Sequence, residues 1–162
     1  MNEWNREEAE KTYNILTWGE GYFDINQDGN LVVKATQAST PIIIKNVIEE
    51  MKSQKVALPA VIRFHDILRS QVKKINKTFR DVIDEADYRG KFCGVYPIKV
   101  NQMREVVEEI VDAGEKYDYG LEAGSKPELL AVLAYNTNAN SLTILNGYKD
   151  EDYLSLALLG TQ

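Results

Sequence analysis

Gly94-Val-Tyr-Pro-Ile-Lys-Val-Asn-Gln102 is the stretch on which the fold of this chain turns. It reads as a short apolar strand from Gly94 to Val100 that carries Lys99 and runs into Asn101 before a helical pattern begins. By the two-residue period of a strand, Val95, Pro97 and Lys99 share one face, and Tyr96, Ile98 and Val100 share the other. A lysine where a strand hands over to a βα loop stands where barrel enzymes present a reacting group. An amine held in a partly dry pocket loses its proton more readily and can form a Schiff base with a carbonyl compound. An isolated lysine at a strand end is more commonly just solvated, so the neighbouring segments decide.

Downstream, Gln102 to Ala113 has helical spacing, with Met103, Val106, Val107, Ile110 and Val111 inward and Gly114 as the stop. Asp118 to Glu122 reads as the next strand, followed by Ser125-Lys-Pro-Glu128, a capping box with proline in the first turn. Leu142 to Leu145 is a further strand, Asn146-Gly147 a turn, and Asp150 to Leu159 the last helix. Upstream, Ala60 to Phe64 reads as a strand after Pro59. Asp66 is placed to cap a long helix to about Ala86, striped by Ile67, Leu68, Val72, Ile75, Phe79, Val82 and Ile83. The pattern is βα four times over residues 58–162, which implies a parallel sheet with helices packed outside it. A doubly wound sheet and the first half of an eight-fold barrel both fit that alternation. Residues 1–57 form a different segment. Gly21 to Asn26 and Leu31 to Lys34 flank Asp28-Gly29 as a β-hairpin, and Ile43 to Gln54 reads as a short helix with Ile44, Val47, Ile48 and Met51 on one face.

In a parallel sheet the chemistry gathers at the carboxyl ends of the strands. Those ends bring Arg63, Phe64 and His65; Lys99 and Asn101; Glu122, Gly124 and Ser125; and Asn146, Gly147 and Lys149 to one rim. Glu122, one strand along from Lys99, is placed to hold its ammonium. Ser125 and Glu128 are accounted for by capping. No phosphate-cradling glycine loop is present, because Trp18-Gly-Glu-Gly-Tyr22 precedes a hairpin rather than a helix. Arg69, Lys73, Lys74, Lys77 and Arg80 read as a solvated basic stripe.

Composition narrows the classes. A net charge of -6 argues against general nucleic-acid binding. No apolar run reaches membrane-spanning length, and the acidic N-terminus is no targeting peptide, so a cytoplasmic location is expected. One cysteine, Cys93, excludes an internal disulfide and reads as a buried, inert thiol. One histidine, His65, leaves no two-histidine metal site, and no nucleophile elbow stands near it to build a triad.

Five segments together resemble one family: Trp18 to Asn26, Arg63 to Arg69, Gly94 to Gln102, Gly120 to Leu129, and Asn146 to Asp150. They are similar to the N-terminal part of the bacterial biosynthetic arginine decarboxylases, which use pyridoxal 5'-phosphate (PLP) on an alanine-racemase-type barrel. The resemblance implies an α/β fold: about four βα units of a PLP-binding barrel of the TIM type, preceded by a hairpin that belongs to a β-domain. It implies that Lys99 carries PLP as a Schiff base, that Glu122 lines the same pocket, and that Glu128 is a second acid near it. It further implies decarboxylation of L-arginine to agmatine and carbon dioxide in polyamine (spermidine) biosynthesis, magnesium as a second cofactor, and a homo-oligomeric full-length enzyme. The family's proteins are much longer. Their phosphate loop, pyridine-pairing acid, guanidinium-gripping residues and C-terminal β-domain are expected beyond this segment, so the chain alone is expected to be inert and to self-associate through its open sheet. Two alternatives stay open: a non-catalytic PLP-binding or interaction domain, and a decarboxylase of ornithine, lysine or diaminopimelate.

Overall fold

Residues 4–34, 36 and 39–160 are described by the computed structural model, so the first three residues of the acidic N-terminus and the last two of the chain lie outside the described residues. The chain divides into two compact units, Met1–Ile67 and Leu68–Gln162. The sequence pattern puts a boundary at 57/58; the units meet instead within the first turn of a long helix, whose Ile67 N–H donates to the Phe64 carbonyl at 3.0 Å.

The first unit opens with two helices that the sequence reading did not anticipate, α1 (Arg6–Tyr13) and α2 (Ile15–Trp18). Asn5 caps α1 by accepting from the Glu7 N–H, and Asn14 takes the left-handed conformation between the two. The expected hairpin is present as β1 (Phe23–Ile25) and β2 (Leu31–Val33), antiparallel, with Ile25 opposite Leu31. Its connection is not a two-residue turn. Asn26 Oδ1 accepts from both Asp28 N–H and Asn30 N–H, and Gly29 sits at φ 78°, which closes a wider loop. A third strand, β3 (Ile42–Ile43), pairs with β2, so the hairpin has a small sheet of its own. Ala9, Ile15 and Ile25 form the core between these helices and strands. The expected helix follows as α3 (Ile44–Ser53), with no fully buried residue on its apolar face.

The strand expected over Ala60 to Phe64 is absent: these residues pair with no strand among those described, and Val61 is 75% exposed. A strand exists through its ladder, and Pro59 removes one donor at the point where pairing would begin.

The long helix is α4 (His65–Glu85). Asp66 lies inside its first turn and is not its cap. Only part of the expected stripe is covered: Val72 is buried, whereas Ile75, Phe79 and Val82 are exposed. Asn76, outside the stripe, is fully buried and donates from Nδ2 to the Val72 carbonyl at 2.9 Å. The basic stripe is not simply solvated. Arg69 pairs with Glu109 at 2.9 Å and with Asp112, Lys77 pairs with Asp81 at 2.6 Å, and Arg80 lies over the Tyr117 ring.

The second unit holds a parallel sheet of β4 (Val95–Pro97), β5 (Gly120–Ala123) and β6 (Thr143–Leu145), joined by α5 (Arg104–Gly114) and α6 (Lys126–Tyr135) and closed by α7 (Glu151–Leu159). The order β4-β5-β6 advances in one direction, as in a barrel; a doubly wound sheet reverses at a switch point. Ile98, Val107, Leu121, Ala123, Leu129, Val132 and Tyr153 make the core between sheet and helices. Three local expectations change. Met103 precedes α5 and is exposed. Gly114 does not supply a left-handed stop, since the chain runs on as a 3-10 turn (Glu115–Tyr117) and turns left-handed at Asp118, φ 54°; Gly114 is packed against Tyr119 instead. Cys93 is half-buried rather than buried, because it precedes the ladder.

Candidate functional site

The strand carrying the central lysine ends earlier than its pattern suggests. β4 stops at Pro97, and Ile98–Val100 form a 3-10 turn. Proline lacks the N–H that would continue the ladder. The two-residue alternation therefore stops at Pro97: Ile98 turns into the core and Lys99 is exposed beyond the strand end. Among the described residues no hydrogen bond or ion pair engages the Lys99 ammonium. Tyr96 braces this turn, its hydroxyl donating to the Asn101 carbonyl at 3.1 Å, and partial burial of that phenol raises its pKa above the ordinary value.

Glu122 comes next. Pro97 is in register with Glu122, and Glu122 with Ile144, so the ends of β4, β5 and β6 lie side by side. Glu122 is half-buried and accepts at Oε1 from Asn146 Nδ2, 3.3 Å away. It makes no ion pair with Lys99 in this structure. Ser125 caps α6 by accepting from the Glu128 N–H at 3.4 Å, and Glu128 Oε2 accepts from the Gly124 N–H at 2.7 Å. The acid of the capping box thus reaches one residue further back than the usual cap N–H. That bond holds the Gly124–Ser125 turn with one carboxylate on each side of it.

The sequence pattern places Asn146 and Gly147 on the rim only as a turn and gives Tyr153 no part in it. In the structure all three shape this corner. The Ala123 carbonyl accepts both the Asn146 N–H at 2.8 Å and the Tyr153 hydroxyl at 2.9 Å. Tyr153 is fully buried; desolvation first, then Glu128 and Glu122, raise its pKa. Gly147 has φ 72°, and a Cβ there would overlap the Gly124 carbonyl oxygen. Asp150 caps α7, accepting from the Tyr153 N–H at 2.9 Å, while Lys126 pairs with Asp150 at 2.8 Å. The readable signal was the Asn-Gly pair directly after an apolar strand, taken only as a turn. Arg63, Phe64 and His65 belong to the first unit, where the Phe64 ring meets Phe23 edge-on, 6.3 Å between centroids.

A cleft of about 820 Å³ opens elsewhere, lined by Glu108, Asp112, Glu115, Asp118, Tyr119 and Asn138 among others. Its residues precede β5 and β6 in the chain, so it lies at the amino ends of the strands. Size does not outweigh position here, because parallel sheets carry their chemistry at the carboxyl ends.

Known proteins resemble this chain in sequence and in fold. A family model described as the pyridoxal-dependent decarboxylase, pyridoxal binding domain, matches residues 70–161. The biosynthetic arginine decarboxylase of Phocaeicola vulgatus is 48% identical over 159 residues, 98% of this chain and 25% of that protein. That of Gloeobacter violaceus is 43% identical over 160 residues, again 98% of this chain and 25% of the relative. The crystal structure of the biosynthetic arginine decarboxylase from Campylobacter jejuni superposes with a TM-score of 0.82 at 32% identity, covering 91% of this chain and 24% of that one. The chain therefore spans about a quarter of the length of the relatives it matches.

Proposed function

Because the chain belongs to the pyridoxal-dependent decarboxylases, through their pyridoxal-binding domain, we propose that its strand-end rim is the cofactor end of an enzyme that removes the α-carboxylate of L-arginine. The observation that carries this reading is Lys99, an exposed primary amine without a partner among the described residues, at the end of the strand paired with Glu122. An aldehyde cofactor needs such an amine. When bound, PLP supplies an electron sink for cleavage of the bond to the carboxylate.

The chain's own residues do the rest. Lys99 Nζ is the covalent anchor. Glu122 keeps Oε2 available while Asn146 occupies Oε1, so it can accept a proton from an ammonium brought to the rim. Glu128 holds the backbone at Gly124, which fixes the turn between the two acids. Two carboxylates at one rim also favour a dicationic substrate such as an amino acid with a guanidinium tail. Arginine as substrate is supported by the names of relatives 43–48% identical to this chain. The same reading includes agmatine feeding polyamine synthesis, a cytoplasmic enzyme and an assembly of identical chains. No helix among the described residues is long and apolar enough to cross a membrane. Among the described residues no three His, Cys, Asp or Glu side chains come together, so nothing in this part of the chain supports a magnesium site.

Borohydride trapping tests the reading. The chain is incubated with PLP, reduced, digested and mapped. The expected result is one pyridoxyl peptide, at Lys99, lost in Lys99→Ala. Labelling spread over many lysines would overturn it. Purified chain supplied with PLP and L-arginine is expected to yield no agmatine. Agmatine release would refute the view that the rim needs further residues to turn over.

A further inference from the structure

Asn146 makes three bonds that bear on one carboxylate, one through its backbone and two through its side-chain amide. It leaves the end of β6, where Leu145 stands opposite Ala123, and its backbone N–H donates to the Ala123 carbonyl at 2.8 Å. Its side-chain Oδ1 accepts from the Gly147 N–H at 2.9 Å, and its Nδ2 donates to Glu122 Oε1 at 3.3 Å. The first side-chain bond fixes the sense of the second. An asparagine amide fits a site in two orientations, distinguished only by its partners. A backbone N–H needs an oxygen, so the nitrogen is left facing Glu122, and a carboxylate can only accept from it.

The backbone that delivers this amide has little freedom. Gly147 is held at φ 72° against the Gly124 carbonyl, and Tyr153 shares the Ala123 acceptor with Asn146. Asn146 and Glu122 sit at an open rim, where water competes for every polar group. Such a bond adds little to stability; what it sets is orientation.

We propose that Asn146 is a positioning residue of the rim: its amide grips one oxygen of Glu122 and leaves the other to accept from the cationic amine the site handles. The proposal rests on the reading that Glu122 belongs to the pyridoxal site. The charged or titratable groups on the surrounding elements include Lys99 beyond β4, Lys126 and Glu128 on α6, Lys149 and Asp150 before α7, and Glu151, Asp152 and Tyr153 on α7, with Lys126 paired to Asp150 and Asp152. Lys149 donates to the Gly147 carbonyl at 3.1 Å and so occupies the far side of the same turn.

The test uses the 162-residue chain labelled with nitrogen-15. In wild type, the side-chain NH2 signals of Asn146 are expected to be widely split, because one hydrogen is bonded to Glu122. In Glu122→Ala, which removes the acceptor, that splitting collapses. Identical behaviour of the two proteins overturns the bond. Asn146→Asp then separates positioning from architecture, because aspartate still accepts from the Gly147 N–H but cannot donate to Glu122. Borohydride labelling of Lys99 by PLP is expected to fall several-fold in Asn146→Asp, with the backbone spectrum changed only around residues 122–124 and 146–147. Unchanged labelling overturns the positioning role even where the bond exists. A wild-type Lys99 that PLP never labels sinks the cofactor reading instead, and the Asn146 signals still decide whether that residue holds Glu122.

Discussion

Removing the Tyr153 hydroxyl gives a number that follows from the acceptor it leaves behind. In Tyr153→Phe the ring keeps its place in the core, and only the 2.9 Å bond to the Ala123 carbonyl is lost. That carbonyl still accepts from the Asn146 N–H at 2.8 Å, so no buried acceptor is orphaned. The cost is then the net worth of one hydrogen bond, about 1 kcal/mol, rather than the larger penalty of an unsatisfied group. Tyr153→Ala removes a fully buried aromatic side chain, for which about 3–5 kcal/mol is expected. Urea unfolding followed by far-ultraviolet circular dichroism separates the two. With a slope of about 2 kcal/mol/M, the phenylalanine variant should lose about 0.5 M in midpoint. Phenylalanine as damaging as alanine would refute the shared-acceptor argument. A neutral phenylalanine would mean that the bond is not made in solution.

Gly147→Ala should cost about 1–3 kcal/mol, because its φ of 72° and the Gly124 carbonyl both oppose a Cβ; an unchanged thermal midpoint would contradict the turn geometry. Tyr96, Tyr119 and Tyr153 all have raised pKa values, in each case through burial first. A folded pKa above the unfolded one means that stability holds below the ordinary phenol value, about 10, and is lost as pH climbs through the raised values. An absorbance titration at alkaline pH should show these phenols ionising after the exposed ones, and a single step for all tyrosines before unfolding would count against it. Asp150 has its carboxyl held below the ordinary range by Lys126 first and the Tyr153 N–H second. Its contribution is present at neutral pH and lost as pH falls through that lowered value. Asp150→Ala should lower Tm modestly at pH 7 and flatten its acid dependence; an unaltered acid limb would refute the assignment.

The α/β alternation from residue 65 onward was legible because α4 and α5 carry apolar stripes at helical spacing and β5 and β6 are short apolar runs between turn signals. The Ala60 to Phe64 run shows the limit of that logic. Its composition is strand-like, but a strand is made by a partner, and composition does not name one. The helices α1 and α2 escaped notice because α1 is held by an asparagine cap and charged residues rather than an apolar stripe, and α2 is a single turn. At the rim, Lys99 and Glu122 could be picked out as types at strand ends, whereas Glu128 reads only as part of a cap and joins the site through the family resemblance. Their neighbours could not: which atom of Asn146 meets Glu122 depends on a left-handed glycine one residue on. That the lysine leaves the strand at Pro97 was written in the proline, yet the smooth apolar run from Gly94 to Val100 concealed it.

The doubly used Ala123 carbonyl has a mechanical consequence. It ties β5, β6 and α7 at a single atom beside Glu122, so the acidic side of the rim moves only if three elements move together. On the lysine side the Tyr96 hydroxyl and the Met103 N–H both donate to Asn101, but among the described residues no bond engages the Lys99 side chain itself. Of the two side chains proposed for the cofactor end, Lys99 is therefore the one left to swing on its four-carbon arm, while Glu122 is steadied through Asn146.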